Sequence, residues 1–194
     1  MAHSFFAMLS RMKYIHRWPL MRNTSTENIS EHTQEVAVLA HALAVLTNTR
    51  FEGQVDANKC VLLALYHDVP EIITGDLPTP VKYHSQTLRE AYKQVEDGAA
   101  DRLLAMLPDD LQGIYYPLLH QESGTMEARL VKAADKLSAL IKCTEELKLG
   151  NREFFKAHQA TEQSLREMHL PAVDLFLKEF MPAYGLTLDE QQDM

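Results

Sequence analysis

Residues 61–80, VLLALYHDVPEIITGDLPTP, constrain this chain more than any other stretch. The first half is almost wholly apolar and asks to be buried, yet His67, Asp68, Glu71 and Asp76 follow at once. A polar group taken out of water costs roughly 2–7 kcal/mol unless it meets a hydrogen bond, an opposite charge or a metal. Two readings fit the stretch taken alone. It is a buried helix whose polar end reaches solvent, with His67 and Asp68 as capping residues. Or it is a buried helix that delivers those side chains to a site. The choice depends on the rest of the chain.

The rest reads as helical. In 194 residues there are seven Gly and eight Pro, and β-branched alternation is rare. That favours one all-α domain, a multi-helix bundle over 1–185 with an acidic, loose tail at 186–194. The net charge of -8 argues against a nucleic-acid polymer as partner. No run approaches the ~20 apolar residues of a membrane span, so no membrane partner is expected. Cys60 and Cys143 lie far apart among helical residues and read as buried thiols of a reducing compartment, with the cytoplasm as default.

Along the chain, a first helix from 3 to 15 stops before Pro19, and Arg17, Trp18 and Arg22 fall in or beside a polar loop. Ser30 is the expected N-cap of the next helix, whose core stripe runs His32, Val36, Leu39, Leu43, Leu46, with His41 off it. Asp56 caps a third helix, apolar nearly all round at 60–66. Pro70 ends it near His67-Asp68, and 71–74 adds a turn before Gly75. Residues 76–80 form a stiff loop held by two prolines. Further helices are expected at 85–106, at 110–120 with an interruption at Pro117, from Ser123 or Thr125 to Gly150, and over 151–168 and 171–180. Asp135 sits beside the core stripe of the long one, where an exposed pairing with Lys132 is the plain alternative.

Four residues then share one explanation. His32, His67, Asp68 and Asp135 are two imidazoles and two carboxylates on three helices, a set suited to one divalent transition ion with positions left for water and substrate. Hard Mg²⁺ prefers all-oxygen surroundings. Mn²⁺, Co²⁺, Fe²⁺, Ni²⁺, Cu²⁺ and Zn²⁺ all accept nitrogen, and the resemblance described next puts Co²⁺ or Mn²⁺ first.

The order His32…His67-Asp68…Asp135 resembles the signature of HD-domain metal-dependent phosphohydrolases. RWPLMRN at 17–23, ENISEH at 27–32, YHDVPEIITGDLPTPVKY at 66–83 and KAADKLSALIKCTEELKLGN at 132–151 narrow the resemblance to the bacterial 5′-deoxynucleotidases of YfbR type. Val69-Pro70 and loops near 84–85 and 121–126 depart without touching a motif residue. The resemblance implies an all-α HD domain, a homodimer, and hydrolysis of deoxyribonucleoside 5′-monophosphates. It also implies metal ligands at His32, His67, Asp68 and Asp135. Substrate contacts fall at Arg17, Trp18, Asp68, Asp76, Leu77, Pro78 and Thr79, and catalytic roles at Glu71, Asp68 and Arg17.

Chemistry fits these assignments. Arg17 offers a planar fork for phosphate. Glu71, one helical turn from Asp68, handles a proton or orients water. Asp76 accepts from the sugar 3′-OH, and Trp18 walls off C2′ against a 2′-hydroxyl. No polar cluster suggests reading of base edges. The alternatives are an HD hydrolase of deoxynucleoside triphosphates, cyclic dinucleotides or alarmones, and a metal-binding regulatory module without turnover. Only Arg17 and Arg22 stand out as cations for a polyphosphate.

Overall fold

The computed structural model describes residues 2–82 and 84–193. Among these residues the only β pairing is an isolated bridge between His16 and Asn28. Everything else regular is helix: α1 (Phe5–Leu9, continued as a 3₁₀ segment Ser10–Tyr14), α2 (Ile29–Arg50), α3 (Ala57–Tyr66), α4 (Glu71–Thr74), α5 (Thr79–Lys82), α6 (Gln86–Leu104), α7 (Asp109–Leu119), α8 (Met126–Lys148), α9 (Phe155–Arg166), α10 (Pro171–Glu179) and α11 (Leu188–Gln192).

Two apolar clusters hold the bundle. Val36, Leu39 and Leu43 of α2 pack with Leu63 of α3, Leu137 and Ile141 of α8, Leu165 of α9 and Phe176 of α10. Phe5, Met12, Ile29, Val69, Leu103, Leu107 and Leu119 form the second cluster. Each such side chain, fully buried, contributes about 1.5–3 kcal/mol. α2 passes from the second cluster at Ile29 to the first at Val36, with His32 and Thr33 between them. The 61–80 stretch crosses in the opposite sense, from Ala64 to Val69, with His67 and Asp68 between. The polar residues therefore lie on the seam between two cores.

Several local expectations change. The N-cap of α2 is Asn28, not Ser30: its side chain accepts from the Ser30 and Glu31 amides, and Glu31 returns the bond in a capping box. α3 is not buried all round, since Leu62 and Leu65 face outward at 47% and 40% exposure. The 76–80 segment is a loop only to Pro78. Thr79 opens α5, where Pro80 fits because the first turn of a helix needs no amide bond from it. The apolar stripe of α6 is buried from Ala99 onward, while Val95 is exposed. α7 runs through Pro117 without interruption, since so near the helix end the bond lost is the one to the Gly113 carbonyl. The segment read as a loose tail carries α11, closed by a Thr187–Glu190 capping box and a Gln191 bond to the Ala183 carbonyl.

Candidate active site

Three elements carry polar side chains to one point on the seam. α2 brings His32 in its first turn, 1% exposed. The end of α3 brings His67 and Asp68, because the α-helical bonding pattern there gives way to tighter three-residue turns before Pro70 caps α4. α8 brings Asp135 from its middle, toward the open side at 40% side-chain exposure, and no ion pair with Lys132 forms among the described residues. His32 Nε2 lies 3.2 Å from Asp135 Oδ1 and 3.5 Å from Asp68 Oδ2, and His67 Nε2 lies 3.2 Å from Asp68 Oδ2. One donor atom each from His32, His67 and Asp135 falls within 4.8 Å of the others.

Each imidazole has a second partner that fixes which nitrogen faces inward. His67 Nδ1 donates to the Ala64 carbonyl at 2.6 Å. Ser138 commits its hydroxyl hydrogen to Glu35 Oε2 at 2.5 Å, so its oxygen presents a lone pair to His32 Nδ1 at 2.9 Å. Both Nδ1 atoms are thereby donors, and both Nε2 atoms turn to the centre. Those two Nε2 atoms are buried and have no hydrogen-bond partner despite the nearby carboxylates. Bonds of ~2.0–2.2 Å to one ion place its ligands roughly 3–4 Å apart, so this donor set fits a divalent ion.

The electrostatics are those of opposed charges held close. Burial alone would lower His67, but the Asp68 carboxylate outweighs it and lifts the imidazole to about 9. Burial pushes Asp68 upward, and His67 then His32 pull it down to about 2. Asp135 is likewise held low against its burial by His32, His67 and Arg17. Glu71 goes the other way. Burial, then the charges of Asp68 and Asp76, push it up to about 10, and its Oε2 is buried without a partner.

Arg17 and Trp18 reach the same place from the loop before α2. Arg17 Nη1 donates to Glu27 Oε1 at 2.9 Å and abuts His32 Nδ1, while Nη2 lies 3.9 Å from Asp135 Oδ1. Trp18 has φ 59, uncommon for a residue with a side chain. Its indole packs on Phe154 with ring centroids 5.4 Å apart, and Nε1 donates to Glu27 Oε2 at 2.9 Å. Asp76, shifted upward by burial against the opposing pull of Arg17, follows Gly75, whose φ of 73 turns the chain after α4. Leu77 and Pro78 are half-buried beside it. The side chain of Thr79 lies outside the described residues. Arg22 is 95% exposed and pairs with Glu153, away from the centre.

Residues 4–184 match the family described as 5′-deoxynucleotidase YfbR-like. This chain belongs to that family. The 5′-deoxynucleotidase of Cronobacter sakazakii is 50% identical to it over 187 residues, covering 96% of this chain and 94% of that protein. A 5′-deoxynucleotidase of Photorhabdus laumondii is 50% identical over 191 residues, covering 98% and 96%. Among solved structures, an HD-domain phosphohydrolase from Listeria innocua has a TM-score of 0.84 at 26% identity, over 98% of this chain and 92% of that one. A cyanophage S-2L HD phosphohydrolase, solved with dA and one catalytic Zn²⁺, has a TM-score of 0.65 at 20% identity, over 93% and 96%, and shows likeness of fold. The chain is thus an enzyme of a hydrolase family, built on the all-α HD domain.

Three residues of this YfbR-like site carried no assignment in the sequence. Glu27 stood unremarked inside ENISEH, and Glu35 lies off the His32, Val36, Leu39 stripe. Ser138 left a signal: it lies three residues after Asp135, a polar residue between Leu137 and Leu140 on a buried face. Lys82 was also passed over. It lines a cavity of about 540 Å³ together with His67, Asp68, Glu71 and Lys93. Both lysines are ion-paired there, Lys82 to Glu96 at 2.7 Å and Lys93 to Asp97 at 3.4 Å.

Proposed function

We propose that this YfbR-like enzyme is a metal-dependent phosphomonoesterase. It converts deoxyribonucleoside 5′-monophosphates to deoxynucleoside and phosphate, rejects ribonucleotides and accepts any base. The observation that carries the reading is the pair of buried, unpartnered Nε2 atoms of His32 and His67 beside Asp68 and Asp135. When bound there, a divalent ion, Co²⁺ or Mn²⁺ on this reading, supplies a Lewis acid for the phosphoryl group and acidifies water. The Zn²⁺ in the cyanophage protein supports a nitrogen-accepting ion in general.

The protein's own groups do the rest. With Nη1 held by Glu27, Arg17 keeps the other edge of its fork for a phosphate. Glu71 holds a proton at neutral pH and is placed to give it to the 5′-oxygen as the P–O5′ bond breaks. The proton shed by the attacking water then restores it. Asp76 takes the sugar 3′-OH, and Trp18 leaves no room for a 2′-OH. Leu77, Pro78 and Thr79 are the remaining substrate contacts on this reading. A polyphosphate substrate is disfavoured because Lys82 and Lys93 are already neutralised by carboxylates.

The domain spans 1–185 with 186–194 appended, works in the cytoplasm and pairs as a homodimer. The buried free thiols of Cys60 and Cys143 and the outward Leu62 and Leu65 support these last two points.

Phosphate release after EDTA treatment, with Co²⁺ or Mn²⁺ restored, tests the reading. Activity on dAMP but not on AMP or dATP is expected, and hydrolysis of dATP alone would replace the reading with a triphosphatase. Trp18→Ala should lower the dAMP-over-AMP preference by up to roughly a hundredfold, and an unchanged preference removes Trp18 from sugar selection. Ser138→Ala takes away the acceptor for His32 Nδ1. Ion affinity in a calorimetric titration should fall roughly 10–100-fold. Equal affinity would mean that Ser138 does not orient the ligand.

A further inference from the structure

We propose that Glu27 is the positioning residue that sets Arg17 and Trp18 together, coupling the grip on phosphate to the choice of sugar. The proposal rests on the reading of those two residues as substrate contacts. One carboxylate serves both: Oε1 accepts from Arg17 Nη1 and Oε2 from Trp18 Nε1, each at 2.9 Å. Glu27 and Arg17 are each 13% exposed, so water competes only weakly for that pair. Each oxygen of the carboxylate thus has its own donor, Arg17 on one and Trp18 on the other.

The backbone shows the same dependence. The Arg17 amide donates to the Glu27 carbonyl at 3.0 Å, and the Ile29 amide to the Ile15 carbonyl at 2.9 Å. These bonds tie the loop to the residues on either side of the Asn28 cap of α2, the helix that carries His32. Trp18 holds a left-handed backbone angle, a conformation that persists only when its surroundings impose it. The indole has Phe154 against its face, and Glu27 is the hydrogen-bond partner of its nitrogen. A carboxylate that did nothing but balance Arg17 would not need to span both side chains.

The geometry makes Gln a poor substitute. Glu27→Gln keeps shape but has one acceptor and one NH₂, so either Arg17 or Trp18 faces a donor. Glu27→Asp keeps the charge but is one methylene too short to reach both.

The chain has a single tryptophan, so one indole N–H resonance in the ¹⁵N-labelled, Zn²⁺-loaded protein reports the Trp18 bond directly. In Glu27→Gln that resonance should move upfield and exchange faster with water. kcat/KM for dAMP should fall roughly a hundredfold. The dAMP-over-AMP ratio should fall about tenfold at unchanged metal content. Glu27→Asp should lose sugar preference too while keeping more of its affinity for inorganic phosphate, and it stands in should Glu27→Gln not fold. An indole resonance that stays in place in both Glu27→Gln and Glu27→Asp overturns the proposal. So does one that moves while the sugar ratio and KM hold at wild-type values and Trp18→Ala still lowers the ratio. If Trp18→Ala also leaves the ratio unchanged, the reading of Trp18 as the sugar wall fails, and this proposal falls with it.

Discussion

Asp68→Ala should leave a folded protein that holds a divalent ion weakly and releases phosphate from dAMP at close to the background rate. Two effects combine. The substitution removes the carboxylate oxygen that stands 3.2 Å from His67 Nε2 and 3.5 Å from His32 Nε2, a proposed direct ligand. It also removes the charge that lifts His67 against its burial. Losing a partner of a ligand costs roughly 10–100-fold in ion affinity, and losing a ligand itself should cost more. The pH dependence carries a second signature. In the wild type an ion must displace the His67 proton, so affinity rises with pH until the imidazole titrates at about 9. In Asp68→Ala that rise should move to lower pH. Titrations with Co²⁺ followed by visible absorption across this range would show both changes. Wild-type affinity in the variant would remove Asp68 from the ligand set.

Glu71→Gln should separate catalysis from stability. Burial and the neighbouring Asp68 and Asp76 hold the Glu71 carboxyl near 10, against an ordinary value of 4.5. The folded chain therefore keeps a proton that the unfolded chain releases above pH 4.5. Its contribution is present in full below pH 4.5. It erodes by about 1.4 kcal/mol per pH unit as pH climbs toward 10, which comes to about 3 kcal/mol at pH 7. Gln has the same shape and no proton to hold. The metal-free variant should melt higher than the wild type at pH 7, by roughly 2–4 °C per kcal/mol, with the gap closing near pH 4.5. Turnover of dAMP should drop roughly 10²–10⁴-fold with the ion still bound, as for loss of a proton donor. Equal melting at neutral pH would contradict the burial argument. Near-normal turnover would contradict the assignment of Glu71 to proton handling. The active site thus sacrifices stability for a carboxyl that is neutral where most are charged.

Much of this was legible because helices repeat. The spacing of Val36, Leu39 and Leu43 placed His32 on an inward face, and a buried helix ending at Pro70 placed His67 and Asp68 at a break. The structure brings those residues and Asp135 together. What periodicity does not encode is which side chain on one element meets which on another. Glu27 lies in irregular chain with no face to read, and its bonds to Arg17 and Trp18 run between segments ten residues apart in a bend. The Ser138–Glu35 contact joins positions 103 residues apart. Asn28 displaced Ser30 as the cap because a carboxamide on extended backbone reached two amides at once. Exposure of Leu62 and Val95 was hidden for another reason. Apolar residues mark a face that can be covered, and the chain alone does not say by what.

The seam has a consequence for how the molecule holds together. α2 and the 61–80 stretch each run from one apolar cluster to the other, and at the crossing each carries polar side chains. The contacts among His32, His67, Asp68 and Asp135 thus lie where these two segments pass from one cluster to the other. A ligand that bridged His32 and His67 would couple two segments that each cross from one cluster to the other, so that binding it and keeping the clusters together would draw on the same contacts.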